Sequence, residues 1–169
     1  MPSLSRFRDD VPNETITGYR PTAEEQDSLA AWWETYDGLA ERSAVARMAE
    51  LATFPVNVVS DDAEHRPHCG QWDRDHYVST MSRVMGAPDG AAASDPDAAG
   101  PTPEGTFESI RTPLFLGPSI VVVFSRSTMT AGGETYHLDY ADVLVRENDG
   151  WRFQTMIQPG WGEAMRSEQ

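Results

Sequence analysis

The stretch ETYHLDYADVLVRENDGWRFQTMIQPGW, from Glu134 to Trp161, decides how the rest of the sequence is interpreted. Two runs within it, residues 136–145 and 151–158, are rich in β-branched and aromatic side chains. Between them, ENDG at residues 147–150 has the Asn/Asp-Gly composition of a tight hairpin turn. The pattern predicts two antiparallel strands joined by a short turn.

Side chains alternate across a strand, so each predicted strand has two faces. In the first strand, one face carries His137, Asp139, Ala141, Val143 and Val145. We assign this face to the interior, because Arg146 beside the turn should be hydrated. In the second strand, the inward face is predicted to carry Trp151, Phe153, Thr155 and Ile157.

On this assignment the buried row of the first strand begins apolar and ends in two ionisable groups, His137 and Asp139. Ionisable side chains are costly to bury without water or a partner. The row therefore predicts a cavity into which both side chains point. The prediction depends on the register, because a shift of one residue would turn both outward.

The composition limits the function. The 169 residues suit one domain, and 27 acidic against 13 basic residues give a net charge of −14. Such a chain should be repelled by nucleic acids and anionic membranes, so neither is an expected partner. Every basic residue is an arginine, which excludes Schiff-base chemistry on lysine and, with the high Ala, Asp and Gly content, is typical of a GC-rich bacterial gene.

Cys69 is the single cysteine, so neither an intrachain disulfide nor a thiolate metal cluster can form. Residues 60–72 combine two histidines with acids, but the spacing matches no known ligand set, and we expect no metal. No Gly-rich phosphate loop is present, so no cofactor is expected. Without a leader-like or membrane-spanning segment, a cytoplasmic location is expected.

The first half of the chain predicts three helices. Residues 1–21 have no sustained period and are expected to form an extended arm. Thr22 and Glu25 have the spacing of a capping box, and a helix begins there with an aromatic stripe that includes Trp32, Trp33 and Tyr36. A second helix is predicted over residues 43–51 and a strand over 54–59, and a third helix begins at Asp73 and runs to Met85.

The second half predicts a sheet. Residues 87–105 are almost all Ala, Gly, Pro, Ser and Asp, which is typical of a flexible loop. Two further strands, residues 106–116 and 119–130, precede the hairpin, and the four strands are predicted to form an antiparallel meander. The domain is expected to span residues 22–161, followed by a tail at 162–169.

The order of elements, the aromatic helix, FPVNVVSDD at residues 54–62 and VLVRENDGWRF at 143–153 resemble the NTF2-like superfamily, and the hairpin resembles its SnoaL-like polyketide cyclases. The resemblance implies an α+β cone, in which three N-terminal helices pack on a curved antiparallel sheet around a pocket. It also implies that Asp139 acts as general base, that His137 orients the substrate and that Tyr36 donates a hydrogen bond. Residues expected to line the pocket are Trp32, Trp33, Tyr77, Met81, Phe124, Arg126, Trp151, Phe153 and Thr155.

Three functions remain open at this point. The first is a cofactor-free enzyme, a cyclase, isomerase or hydratase of secondary metabolism, acting on a hydrophobic polycyclic or aromatic metabolite. In limonene-epoxide hydrolases, which share the superfamily, an arginine joins carboxylates, and Arg111 or Arg126 is a candidate for such a set. The second is a small-molecule-binding protein without catalysis. The third is a homodimeric assembly module, with an outward row formed by Leu138, Tyr140, Leu144 and Met156.

Overall fold

A computed structural model describes residues 4–7, 12–85, 106–131, 133–148, 150–162 and 165. The elements in chain order are β1 (Leu4–Phe7), α1 (Asn13–Thr17), α2 (Ala23–Glu41), α3 (Val45–Ala49), β2 (Ala52–Asp61), β3 (Pro67–Trp72), α4 (Arg74–Val84), β4 (Thr106–Gly117), β5 (Ile120–Ala131), β6 (Glu134–Glu147) and β7 (Gly150–Ile157). The loop predicted at 87–105 lies outside the described residues.

The strands form one seven-stranded sheet in the order β1-β4-β5-β6-β7-β2-β3. The antiparallel meander of β4 to β7 is confirmed. The sheet is curved, unclosed and mixed, because β1 pairs in parallel with β4 and β2 pairs in parallel with β7. The sequence predicted an antiparallel sheet, because the pairing of β2 with β7 joins residues about 100 positions apart and leaves no local signal.

The two long helices begin where their capping residues predict. Thr22 accepts a hydrogen bond from the backbone N–H of Glu25, and the Glu25 carboxylate accepts one from the backbone N–H of Thr22 at 2.7 Å. Asp73 accepts from the backbone N–H of His76 at 2.8 Å. Both caps satisfy backbone donors that a helix N-terminus otherwise leaves unpaired. Among the described residues, no helix combines the length and hydropathy that crossing a membrane requires.

Strand β3 was missed, because its sequence PHCGQW was interpreted as part of a loop. It pairs antiparallel with β2, and Asp62 organises the turn between them. The buried Asp62 carboxylate accepts from the backbone N–H groups of Glu64 and Arg66, from Arg66 Nε and, at 2.9 Å, contacts His68 Nε2. Within the described ranges, no three His, Cys, Asp or Glu side chains come together as a metal site.

The inward positions predicted for Trp151 and Phe153 are confirmed, but the predicted faces of β6 and of the second half of β7 are wrong. Leu144 pairs with Phe153, but Val143 pairs with Thr155, so Gln154 forms a β-bulge in β7. The inner face of β6, which lies toward α2 and α4, therefore carries Leu144, Asp142 and Tyr140, whereas Val145, Val143, Ala141, Asp139 and His137 lie on the outer face. The bulge also shifts the alternation of side chains along β7. Trp151 and Phe153 point inward before it, and the next side chain that points inward is that of Met156, not that of Thr155.

The wrong assignment of the β6 faces came from the assumption that Arg146 must point outward. Its partner across the hairpin is Trp151, so the two side chains share a face. Arg146 remains hydrated at the edge of that face, since its guanidinium lies 5.9 Å from the Trp151 ring centroid and 3.3 Å from Glu24. A long arginine side chain can cover apolar surface and keep its charge in water. Its charge was therefore not evidence for an outward face.

Candidate functional site

A cavity of about 230 Å³ lies between the inner face of the sheet and helices α2 and α4. Most of its lining is apolar, and the apolar and aromatic residues are Trp33, Tyr36, Ala40, Met48, Met81, Val84, Met85, Leu138, Phe153, Met156, Pro159 and Trp161. The polar residues are fewer, namely Asp37, Arg111, Asp139, Tyr140, Asp142 and Gln158. An apolar pocket with a few converging polar groups is the usual form of a small-molecule site.

Helix α2 supplies one wall of this pocket through a single face. Trp33, Tyr36, Asp37 and Ala40 recur at the i, i+3, i+4 and i+7 spacing that aligns side chains along a helix. The aromatic rings fix this face against the sheet. The Trp33 and Tyr36 centroids lie 5.6 Å and 5.0 Å from that of Phe153 in edge-to-face arrangements.

Asp142 lies on the inner face of β6 at the base of the pocket. The residue is 1% exposed, and its Oδ1 atom has no hydrogen-bond partner among the described residues. Burial raises the pKa of the Asp142 carboxyl to about 8, although the charge of Arg111 and the side chain of Gln158 act in the opposite direction. An acid with this pKa can both give and take a proton near neutral pH.

Arg111 lies on the inner face of β4 and is 1% exposed. Its Nη1 and Nη2 atoms each donate to one carboxylate oxygen of Asp37 at 2.7 Å, and its guanidinium stacks 4.0 Å from the Trp33 ring centroid. Burial works against the charge of Arg111, but the Asp37 carboxylate more than compensates, so the pKa of the guanidinium is raised. The pair is a bidentate, charge-assisted contact at the side of the pocket.

Tyrosine hydroxyl groups complete the polar part of the site. Burial raises the pKa of the Tyr36 phenol well above its usual value, and the neighbouring Tyr77 and Asp142 add to this effect. Tyr36 therefore remains protonated and able to donate at any physiological pH. The Tyr140 hydroxyl accepts a hydrogen bond from Ser127 at 3.2 Å.

Comparisons with known proteins bear on the fold. Neither a family model nor a curated protein matches the sequence. Solved structures match at low identity: an NTF-2-like protein of unknown function from Shewanella oneidensis superposes with a TM-score of 0.56 at 9% identity, over 79% of this chain and 98% of that one. The chain has the NTF2-like fold.

Two further structures match this NTF2-like chain. A domain of unknown function with a cystatin-like fold, from Nostoc punctiforme, has a TM-score of 0.57 and 10% identity, over 82% of this chain and 78% of that one. A Novosphingobium aromaticivorans protein provisionally assigned as a scytalone dehydratase has a TM-score of 0.53 and 13% identity, over 79% and 82% of the two chains. At these identities the comparisons establish the fold alone.

Two of the three predicted catalytic residues lie outside the interior of the NTF2-like cone. Asp139 borders the mouth of the pocket, but its side chain is 64% exposed and its Oδ1 accepts from Arg126 Nε at 2.8 Å. That hydrogen bond lowers the pKa of the Asp139 carboxyl, which is the opposite of what a general base near neutral pH requires. His137 is exposed, with Nδ1 3.4 Å from Thr128 Oγ1. The prediction that both side chains enter the interior is wrong.

The structure brings only some of the predicted pocket residues together. Trp33, Tyr36, Met81 and Phe153 line the pocket. The others lie elsewhere: Trp32, Tyr77 and Trp151 are buried in the core, Thr155 and Phe124 are on the outer face, and Arg126 is on that face in its pair with Asp139. Of the two arginines considered as partners of carboxylates, Arg111 is the one inside the pocket.

The site residues predicted from the sequence did not include Asp37 and Asp142, the two acids inside the pocket, although signals for both were present. Asp37 lies four residues after Trp33, so it interrupts the aromatic stripe of α2 with an acid. Asp142 lies two residues before Leu144, and the tight turn places Leu144 opposite Phe153, on the face that the buried aromatics of β7 define. Counting residues across the turn would have placed Asp142 in the interior.

Proposed function

We propose that this protein is a cofactor-free enzyme that performs acid–base chemistry on a hydrophobic small molecule, with Asp142 as the group that exchanges the proton. The observation that carries this proposal is a buried carboxyl with one unpartnered oxygen at an apolar pocket. A structural acid at such a position would normally have its oxygens paired, because an unsatisfied buried polar atom is destabilising. Perturbed acids of this kind are characteristic of functional sites.

The chemistry follows from the protonation states of the Asp142 carboxyl and the Tyr36 phenol. At pH 7, an acid with a pKa of about 8 is protonated in roughly nine molecules of ten, so Asp142 donates to an oxygen of the bound molecule. The minor ionised form abstracts a proton from carbon next to a carbonyl group. Tyr36 donates a hydrogen bond to the oxygen on which negative charge develops. Isomerisation of an unsaturated ketone, aldol-type cyclisation and loss of water from a β-hydroxy ketone each begin with abstraction of such a proton.

Proton exchange on a model ketone tests the proposal without knowledge of the natural substrate. 2-Tetralone is bicyclic and apolar and has acidic hydrogens beside its carbonyl, so the protein should accelerate their exchange with deuterium in D2O, followed by proton NMR. Asp142→Asn should reduce the protein-catalysed rate at least 100-fold and change affinity for the ketone less than tenfold. The wild-type rate should rise with pH and level off above about pH 8, as Asp142 ionises.

Asp139→Asn is the matched control, because it removes a carboxylate three residues away on the opposite face of the same strand. Its exchange rate should equal that of the wild type. Loss of exchange in Asp139→Asn with full activity in Asp142→Asn would overturn the assignment. Binding of the ketone without any acceleration by the wild type would replace catalysis by the second function considered above, a small-molecule-binding protein.

We also propose that the protein forms a homodimer through the outer face of its sheet. Phe124, Ile110, Leu116 and Ile120 are between 44% and 57% exposed there, and Val122 and Val143 extend the same face. Contiguous apolar surface of this kind commonly marks an interface. Of the row predicted from the sequence to form an interface, Leu144 and Met156 are buried, and Leu138 and Tyr140 line the pocket on the inner face.

A further inference from the structure

Four ionisable residues of the described ranges border the pocket, in addition to its tyrosines, and none presents an unbalanced charge to it. These are Asp37, Arg111, Asp139 and Asp142. The side chain of Asp139 lies on the outer face of the sheet, where it is balanced by Arg126. Asp142 is held in its neutral form at pH 7, because burial raises the pKa of its carboxyl to about 8. The remaining charges, on Asp37 and Arg111, meet each other in two hydrogen bonds of 2.7 Å.

In this last pair, the terminal nitrogens of the Arg111 guanidinium are occupied by Asp37 and do not face a ligand. Both terminal nitrogens of Arg111 point at the two oxygens of Asp37, and one face of the guanidinium is covered by Trp33. A ligand carboxylate that approached Arg111 would have to compete with Asp37, and its own charge would be repelled by that residue. A ligand cation would be repelled by Arg111. Neither charge could be buried there without a large desolvation cost.

We infer that Asp37 and Arg111 neutralise each other so that the pocket selects uncharged ligands, and that Asp37 is the residue that sets this specificity. The inference rests on the proposed function only in taking the pocket as a ligand site. It adds a chemical class: the ligand carries a carbonyl or hydroxyl group and no carboxylate, phosphate or amine. Specificity of this kind comes from repulsion of the wrong ligand, because the charge of an ionic ligand would have no free counter-charge in the pocket.

Removal of Asp37 or of Arg111 should leave the other residue to determine which ligand charge the pocket prefers. Asp37→Asn leaves Arg111 without its counter-charge, so an anion should be favoured. Arg111→Met leaves Asp37 without its counter-charge, so a cation should be favoured. The two variants therefore test one idea from opposite directions, and either is informative if the other fails to fold after the loss of a buried partner.

Three probes of nearly equal shape separate charge from size: 2-naphthol, which is uncharged at pH 7, 2-naphthoate and 2-naphthylmethylammonium. Dissociation constants would be measured by calorimetry or fluorescence at pH 7. The wild type should bind 2-naphthol at least tenfold more tightly than either ion. Asp37→Asn should gain at least tenfold in affinity for 2-naphthoate, and Arg111→Met should gain at least tenfold for the ammonium probe.

Glu34→Gln is the matched control, because it removes one negative charge from the exposed face of α2, near Asp37 along the helix. Its three affinities should equal those of the wild type. A second control, Asp37→Leu combined with Arg111→Met, removes both charges and should retain the wild-type preference for 2-naphthol. If this double variant bound 2-naphthoate as tightly as Asp37→Asn does, the gain would come from space and the inference would be overturned.

The outcomes separate this inference from the proposed function. A wild type that binds 2-naphthoate as tightly as 2-naphthol contradicts the inference and leaves the acid–base proposal intact. A wild type that selects 2-naphthol but does not exchange protons on 2-tetralone contradicts the acid–base proposal and leaves the inference intact. A wild type that binds none of the three probes contradicts the pocket as a ligand site, and both proposals are lost.

Discussion

At the scale of single residues, Asp142 is a position at which burial of an ionisable group lowers stability, and we propose that this group is kept for its chemistry. Its carboxyl is fully buried, so the protein keeps the proton on it well above the pH at which an exposed aspartate loses it. An amide of the same shape would not have to resist ionisation. A residue that lowers stability at working pH is more easily explained by chemistry than by packing.

The contribution of Asp142 to the stability of the protein should therefore fall as pH rises from about 4 to about 8. In this range the unfolded chain releases the Asp142 proton and the folded protein keeps it, so the folded state binds more protons and loses stability with increasing pH. Asp142→Asn should remove this loss and increase the free energy of unfolding at pH 8 by roughly 5 kcal/mol, because folding raises the pKa of the carboxyl from 3.8 to about 8 and a change of one in pKa corresponds to about 1.4 kcal/mol.

Urea denaturation of both proteins at pH 4, 6 and 8 measures this difference. The variant and the wild type should differ least at pH 4 and most at pH 8. Asp27→Asn, on the exposed side of α2, should show no comparable trend. A constant difference between Asp142→Asn and the wild type at all three pH values would mean that the Asp142 pKa is not raised by folding.

At the scale of elements, the ends of the helices were predictable because they depend on neighbours in sequence. The capping box at Thr22 and Glu25 forms as expected, and Asp73 caps α4. The faces of β6 and β7 depended on more than alternation. The bulge at Gln154 changes which side chains of β7 point inward, so that Phe153 before it and Met156 after it are both buried.

Thr22→Ala should lower the free energy of unfolding by about 1 kcal/mol, because the N-terminus of α2 loses one half of its capping box. Thr35→Ala is the paired comparison, because Thr35 is exposed and lies in the middle of the same helix. It should raise the free energy of unfolding by a few tenths of a kcal/mol, since alanine has the higher helix propensity. Denaturation midpoints at one pH measure both. Equal effects of the two substitutions would argue against a role for the cap.

At the scale of the whole molecule, the sheet has two apolar faces, for which we propose different uses. The inner face packs against α2 and α4 and encloses the pocket. The outer face presents Phe124, Ile110 and Leu116 to the surroundings, which is the basis for proposing a dimer. This division assigns the ligand and the partner to opposite sides of one sheet.

Phe124→Asp should convert the dimer to a monomer, because each copy would place an unpaired carboxylate in the apolar interface. Light scattering across a range of protein concentrations measures the mass. Thr35→Asp adds the same charge on the exposed side of α2 and should leave the dimer intact. A monomeric wild type, or a dimeric Phe124→Asp variant, would contradict the proposed interface.

The sequence by itself determined the α+β class, the meander of β4 to β7, the capped starts of α2 and α4, and the aromatic face of α2. All of these follow from interactions between residues that are close in sequence, where propensity, capping and turn chemistry act directly. It also gave the resemblance to the NTF2-like fold.

Only the tertiary structure shows that the inner face of β6 borders a cavity and that Asp142, not Asp139, is buried there. It alone brought Asp37 of α2 against Arg111 of β4, because these residues are 74 positions apart. The alternation of side chains in β6 does not by itself say which face is inside, because apolar side chains lie on both faces; the signal is the pairing of Leu144 with Phe153 across the turn. That choice is made by the helices that cover one face of the sheet and by the bulge that sets the register against it.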